Sequence, residues 1–181
     1  MTQDFGTEVV TAVNEHRQKR DEIRSKPAHK FDTPGYVSDE TRRQLINEAR
    51  AAEEKQLVKS TRQRIEAAAN SYPEQVMERR EKLQRRIMEP LSDASADMLS
   101  RLALSFESDL EDMLEAALAT GNQELTGMLF AEATRRDLPD MQQRIAQEVG
   151  GTYEEFVSLP KSRDEAIARA DLQRQLASRS L

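Results

Sequence analysis

Carboxylates recur at helical spacing between residues 107 and 115, and they are the first candidates for chemistry in this chain. A row of this kind could bind a metal ion or transfer protons. A di-iron site between helices would need Glu-x-x-His pairs, and the sequence has none. Leu110, Met113 and Leu114 mark the buried side of the same helix, so the row is interpreted as a solvated acidic face that could dock basic segments. Its members are Glu107, Asp109, Glu111, Asp112 and Glu115.

Other chemical motifs are missing from the sequence. His16 and His29 lie in the amino-terminal part without a second pair of ligands, so they do not form a zinc site, and there is no cysteine. The chain has no phosphate-binding loop, dinucleotide fingerprint, nucleophile elbow or metalloprotease motif. The sequence therefore predicts a protein that is not an enzyme, with no cofactor, metal or small-molecule substrate.

One basic cluster is the best candidate for contact with nucleic acid. Glu78, Glu81 and Glu89 dilute it, at spacings that suit ion pairs within a helix, and no aromatic residue is interleaved for base stacking. The net charge of −6 also argues against general binding to phosphate backbones. A solvated helix is the favoured interpretation, and a nucleic-acid-associated accessory protein is the alternative. The cluster is Arg79, Arg80, Lys82, Arg85 and Arg86.

Composition predicts an all-α fold. Charged residues make up 33% of the 181 residues and aromatic residues 4%, with no tryptophan, which is typical of long solvated helices. The absence of cysteine suits a reducing compartment. No basic leader and no apolar run of about 20 residues is present, so we expect a soluble protein without membrane contact, cytoplasmic or, if viral, in the virion.

The core is expected between residues 95 and 149, inside a helical hairpin over residues 90–160. Gly121 and Asn122 interrupt the apolar pattern, and a third short helix follows Pro139. After Gly150 and Gly151, one turn carrying Tyr153, Phe156 and Val157 should fold back on the hairpin. The first helix of the hairpin is predicted to bury one continuous stripe, formed by Met98, Leu102, Phe106, Leu110, Met113 and Ala117.

The remaining segments are expected to be arms on that hairpin, in an elongated molecule. Residues 1–24 form a short helix, and residues 25–37 form either a flexible linker or an extended arm that clasps a neighbouring helix or subunit. Residues 38–89 form long charged helices broken at Pro73, with a possible kink at Pro90. Residues 161–181 form an amphipathic helix with Ala168, Leu172 and Leu176 on one side.

The apolar seam of the long helices is too narrow for a globular core and suits one or two partner helices. We therefore predict binding to proteins, as a homo-oligomer or within a larger assembly. The residues expected to contact the partner are Phe31, Tyr36, Val37, Leu45, Val58, Ile65, Val76, Leu83 and Ile87.

In general character the chain resembles small accessory and assembly proteins of tailed bacteriophages, of the scaffolding or head-associated type. Like them it is free of cysteine, helical and charged, with an arm and a terminal helix. It departs from a typical scaffolding protein because it lacks one long uninterrupted coiled-coil rod. The resemblance implies a structural or assembly role and assigns no role to single residues.

Overall fold

The computed structural model describes residues 5–31, 35, 37–89 and 95–181. In these ranges the chain is all-α, as predicted, and forms eight α-helices, one 3-10 turn and no strand. The possible kink at Pro90 and the predicted contact of Tyr36 lie outside the described residues. The helices are α1 (Phe5–Ser25), α2 (Asp39–Met88), α3 (Ser95–Leu104), α4 (Glu107–Thr120), α5 (Gln123–Arg135), α6 (Pro139–Val149), α7 (Thr152–Ser158) and α8 (Arg163–Ser180).

The chain divides into two compact units, and the first contains residues up to Pro73 together with Asp164–Leu181. In this unit α1 lies antiparallel to the first part of α2. The rings of Phe5 and Tyr72 are 4.9 Å apart at one end, and Arg24 binds Glu54 at 2.9 Å towards the other. A narrow apolar edge of α1, with Val9 and Val13, is buried there. A helix of this length is marginal alone, so its packing on α2 supplies much of its stability.

Residues 26–31 are tied to α2 of the same chain. The Phe31 ring is buried, with the Lys26 ammonium 4.6 Å and the Arg50 guanidinium 5.4 Å from its centre. Arg50 also donates a hydrogen bond of 2.7 Å to the carbonyl oxygen of Lys26, and Lys26 binds Glu53 at 2.6 Å. This part of the predicted arm therefore clasps a neighbouring helix, and that helix is its own α2.

The predicted break at Pro73 is wrong, because α2 continues through the proline for 50 residues. A proline inside a helix removes one hydrogen bond and costs about 3 kcal/mol relative to alanine. Tyr72 and Pro73 are both buried in the first unit, so packing around the proline offsets part of that cost. The boundary between the two compact units nevertheless falls at this residue.

The second unit, Glu74–Arg163, holds the larger apolar core. Leu102, Leu110, Leu129 and Ile145 are fully buried at its centre. The predicted turn folds back as expected, because Phe156 of α7 is buried and its ring lies edge-on to Phe130 at 5.4 Å. The predicted stops are also found: Gly121 ends α4 in the left-handed conformation at φ 64°, and the Asn122 side chain caps α5.

The first helix of the hairpin is not continuous, which corrects the predicted stripe. It stops at Leu104 and restarts at Glu107, with Phe106 as the cap residue of α4 and 78% exposed. Arg136 stabilises this end of α3, because its guanidinium donates hydrogen bonds to the carbonyl oxygens of Leu102 at 2.6 Å and Ser105 at 2.8 Å. Carbonyls at the end of a helix need partners, and an arginine 31 residues beyond Ser105 supplies one to each of these two. The Leu102 carbonyl oxygen also accepts from the Ser105 backbone N–H at 3.1 Å.

Candidate interaction surfaces

Most of the residues predicted to contact a partner have neighbours within the chain. Phe31 and Ile65 are buried in the first unit. Val76, Leu83 and Ile87 are buried in the second, where the last two belong to the core. These five side chains are not accessible to a partner in this conformation. The remaining described members, Val37, Leu45 and Val58, are half-buried, and their contact with a partner stays a prediction.

The basic cluster on α2 is largely engaged with its own unit. Arg79 binds Glu155, and Arg80 lies 4.0 Å over the Phe156 ring while donating hydrogen bonds to the carbonyl oxygens of Phe156 and Leu159. These two arginines hold α7 against α2. Two further cations form pairs one helical turn apart, Lys82 with Glu78 and Arg85 with Glu81, and Arg86 is exposed. The cluster therefore acts in part as packing and helix support, and nothing in its geometry favours nucleic acid.

Among the described residues, the most exposed large apolar side chains lie where α3 meets α4. Leu104 is 86% exposed and Phe106 is 78% exposed. Phe106 occupies the cap position of α4, where an oxygen-bearing side chain is usual, and it has no oxygen to offer. Asp109 accepts a hydrogen bond of 3.2 Å from the Phe106 backbone N–H instead. We call Leu104, Phe106 and the adjoining acidic row of α4 the α3–α4 surface.

The acidic row of that surface is solvent-exposed, as the spacing predicted. All five of its carboxylates are exposed, and none forms an ion pair with another described residue. Helix α4 contains no lysine or arginine. In α5 and α6, by contrast, Glu132 pairs with Arg135 and Glu148 pairs with Arg144 of the same helix. The α3–α4 surface thus combines exposed apolar groups with uncompensated negative charge.

Helix α8 exposes a second apolar face. It buries small side chains in the first unit, namely Ala166, Ala170 and Ala177. Leu172 and Leu176 are instead 56% and 48% exposed, on the opposite side. Ala168, Leu172 and Leu176 therefore share one face of α8, as predicted, and this face is exposed to solvent. The buried face is the opposite one, which carries Ala166, Ala170 and Ala177. We call Ala168, Leu172 and Leu176 the α8 stripe.

Glu132 is a buried charge that its sequence context does not reveal. It is 4% exposed and binds both Arg135 and Arg136. Hydrogen bonding from Arg135 lowers the pKa of the Glu132 carboxyl, with a smaller contribution from Arg136 and with burial acting in the opposite direction. Only the i,i+3 and i,i+4 spacing of these residues could have indicated the pairs, and that spacing is common on exposed helices. The arrangement positions Arg136 against the end of α3.

A cavity of about 220 Å³ lies between α1 and α2 in the first unit, beside His16 and Thr61. The Thr61 hydroxyl lies 2.9 Å from the Leu57 carbonyl oxygen and shares a hydrogen bond of 3.2 Å with Nδ1 of His16. The buried Nε2 of His16 has no hydrogen-bond partner among the described residues. Burial and the nearby Arg20 lower the pKa of His16, against an opposing effect of Glu54.

The described part of the chain offers neither a metal site nor a membrane span. It contains no group of three or more His, Cys, Asp or Glu residues that could hold a metal ion. None of the helices there combines the length and the apolar character needed to cross a bilayer.

Comparison with known proteins gave no relative: no family model, no curated protein and no solved structure matches this chain. Function is therefore inferred from the surfaces described above.

Proposed function

We propose that this chain is a non-enzymatic structural or assembly protein that associates through its helices with copies of itself or with a larger assembly. A component of a phage virion or of head assembly is the specific form of this proposal. One observation carries it: Leu104 at the end of α3 and Phe106 at the cap of α4 are both exposed, and α4 has negative charge and no basic residue.

Phe106 supports the proposal because it occupies a position where its side chain does not stabilise the fold. A phenylalanine at a helix cap contributes no capping hydrogen bond, and here it gains little from burial either. Proteins break such local rules mainly at functional sites. Exposed apolar groups beside polar ones are typical of surfaces that bind other proteins. A partner segment with apolar and basic side chains would cover the leucine side chain and the phenylalanine ring and would neutralise the carboxylates.

The test is isolation of the tagged full chain from its native source. We expect the wild type to be recovered in an assembly well above the 20.6 kDa of one chain. The double substitution L104S/F106S should release it, because both side chains are exposed and neither supports the fold. Val10→Ser is the matched control, since Val10 is 58% exposed on α1 and should leave the assembly intact.

Circular dichroism would verify that both variants fold like the wild type. Recovery of the wild type as a lone chain of 20.6 kDa would contradict the proposal. Equal loss of the assembly in the double variant and the Val10 control would show that the α3–α4 surface is not the contact.

A further inference from the structure

The α8 stripe is a half-exposed apolar face on a helix whose other side is already packed. Leu172 and Leu176 are 56% and 48% exposed, while the buried alanines lie on the opposite side of α8. A helix that is apolar on two sides commonly has two neighbours. The first unit supplies one of them, and the charges beside the stripe indicate the other.

The second half of α8 joins this apolar face to a positive charge. After Asp171 the helix contains no acidic residue, and its basic residues are Arg174 and Arg179. Arg174 pairs with Asp171 at 3.0 Å, whereas Arg179 is exposed and forms no ion pair with another described residue. At about 100° per residue, Arg179 lies on the same side of the helix as Leu172 and Leu176.

The first turn of α8 has the opposite charge. It carries Asp164 and Glu165, and Glu165 already interacts within the chain. The part of α8 that suits an acidic surface is therefore its second half, from Leu172 to Arg179.

The α3–α4 surface has a matching order of apolar and charged groups. Leu104 and Phe106 are exposed, and the acidic row follows them along α4 over about 12 Å. Along α8, Arg179 lies about 10 Å beyond Leu172. When the leucines of the α8 stripe cover Leu104 and Phe106, the guanidinium of Arg179 therefore comes within reach of the acidic row.

We infer that the second half of α8 docks on the α3–α4 surface of a second copy of this chain. The inference rests on the proposed function and names the partner of its surface. Two α3–α4 surfaces would repel each other through their acidic rows, so this surface needs a different one opposite to it. The α8 stripe is apolar and ends in a cation, so a single contact covers both exposed apolar faces and neutralises part of the acidic row.

The contact joins two different surfaces, and each copy carries one of each. It therefore either closes two copies into a dimer or continues to further copies. Arg179 and the acidic row are exposed, so added salt weakens the association.

The first test is sedimentation velocity of the full chain over a range of concentrations. Leu172→Glu places a carboxylate in the stripe, against an acidic surface, and should weaken association by about tenfold or more. Val10→Glu is the matched control, because Val10 on α1 is 58% exposed and lies in neither surface, so association should be unchanged. Circular dichroism should be the same for both variants and the wild type, because both side chains are exposed. Equal association of L172E and V10E would overturn the inference.

The second test concerns the charge. Arg179→Glu should weaken association by about threefold to tenfold at low salt, because it places a carboxylate beside the acidic row. Arg62→Glu is the control, since Arg62 is exposed on α2 and forms no ion pair with another described residue. Equal affinities of R179E and R62E would overturn the contact of Arg179 with the acidic row.

Mixing two variants tests which surfaces meet. L172E keeps the α3–α4 surface intact, and L104S/F106S keeps the α8 stripe intact. Each variant alone should stay monomeric, whereas their mixture should form a heterodimer through the one intact pair of surfaces. If either surface paired with its own kind, one variant would dimerise alone and the mixture would contain no heterodimer, which would overturn the inference.

The outcomes separate this inference from the proposed function. If L104S/F106S is released from the assembly of the native source and L172E stays in it, the partner of the α3–α4 surface is another protein. The inference then fails while the proposed function stands. A wild type that is monomeric at all concentrations also overturns the inference, and the proposed function then depends on the assembly recovered from the native source. Heterodimer formation in the mixture supports both.

Discussion

Replacing Arg136 with methionine is expected to destabilise the junction between α3 and α4. Methionine keeps most of the side-chain length and a similar helix propensity, but it removes the guanidinium. The Ser105 carbonyl oxygen then loses the guanidinium donor, and the Leu102 carbonyl oxygen keeps only the Ser105 backbone N–H at 3.1 Å. Glu132, only 4% exposed, loses one of its two arginines. The change therefore leaves several polar groups with fewer hydrogen bonds in a half-buried environment.

The magnitude follows from those three contacts. A hydrogen bond to a charged group contributes about 1.5 to 3 kcal/mol, and water can replace part of that here because the Arg136 side chain is 22% exposed. Glu132 keeps its two hydrogen bonds from Arg135, at 2.6 and 2.8 Å, so it is not left unpaired. We expect R136M to lower the free energy of unfolding of the second unit by about 2 to 4 kcal/mol.

Arg135→Met is the matched control. Arg135 binds the same carboxylate, but its side chain is 59% exposed and it makes no contact with the end of α3 among the described hydrogen bonds. Its loss should cost about 1 kcal/mol or less, because solvent screens the pair. Native-state hydrogen exchange of amides in α3 and α4 is the assay, since it reports the free energy of local opening. Equal effects of R136M and R135M would refute the role assigned to Arg136.

Two further predictions concern the first unit and the helix interior. The pKa of His16 is lower in the folded chain than its ordinary value of 6.5, so the unfolded chain binds more protons near this pH. The stability of the first unit should therefore fall as the pH drops below 6.5. The substitution His16→Gln should reduce this pH dependence of the melting temperature, whereas the same substitution at exposed His29 should not. The substitution Pro73→Ala restores a backbone hydrogen-bond donor inside α2 but removes the contacts of the buried ring. We expect it to raise the free energy of unfolding, measured in urea, by about 1 to 2 kcal/mol. A decrease would show that the buried ring contributes more than the missing hydrogen bond.

Features set by neighbouring residues could be predicted from the sequence. Gly121 with Asn122 and Gly150 with Gly151 end and start helices through their own conformation and hydrogen bonds. Ser38 is of a residue type that commonly caps a helix, and its hydroxyl oxygen accepts from the Thr41 backbone N–H at 3.2 Å at the start of α2. The all-α class and the exposed acidic face of α4 follow from composition and periodicity in the same way.

Features set by distant residues could not be predicted. The contact of Arg136 with the end of α3 is one example, because Arg136 lies at the end of another helix and its spacing from Leu102 gives no signal. Pro73 carries a strong local signal for a break, and packing around it overrides that signal. Spacing alone places the seam of α2 against a partner, because its neighbours within the chain, such as His16 opposite Thr61, are not evident from spacing. Periodicity also places Phe106 in the core, so it does not predict the exposed apolar part of the α3–α4 surface.

The central claim is that this chain associates through exposed helix faces, and measuring the mass of the particle that contains the chain tests it most directly. Light scattering would measure it for the purified protein at increasing concentration and for material isolated from the native source. We predict a mass that rises from 20.6 kDa towards that of a dimer in the purified sample, and a larger particle from the native source. A constant 20.6 kDa in both samples would contradict the account.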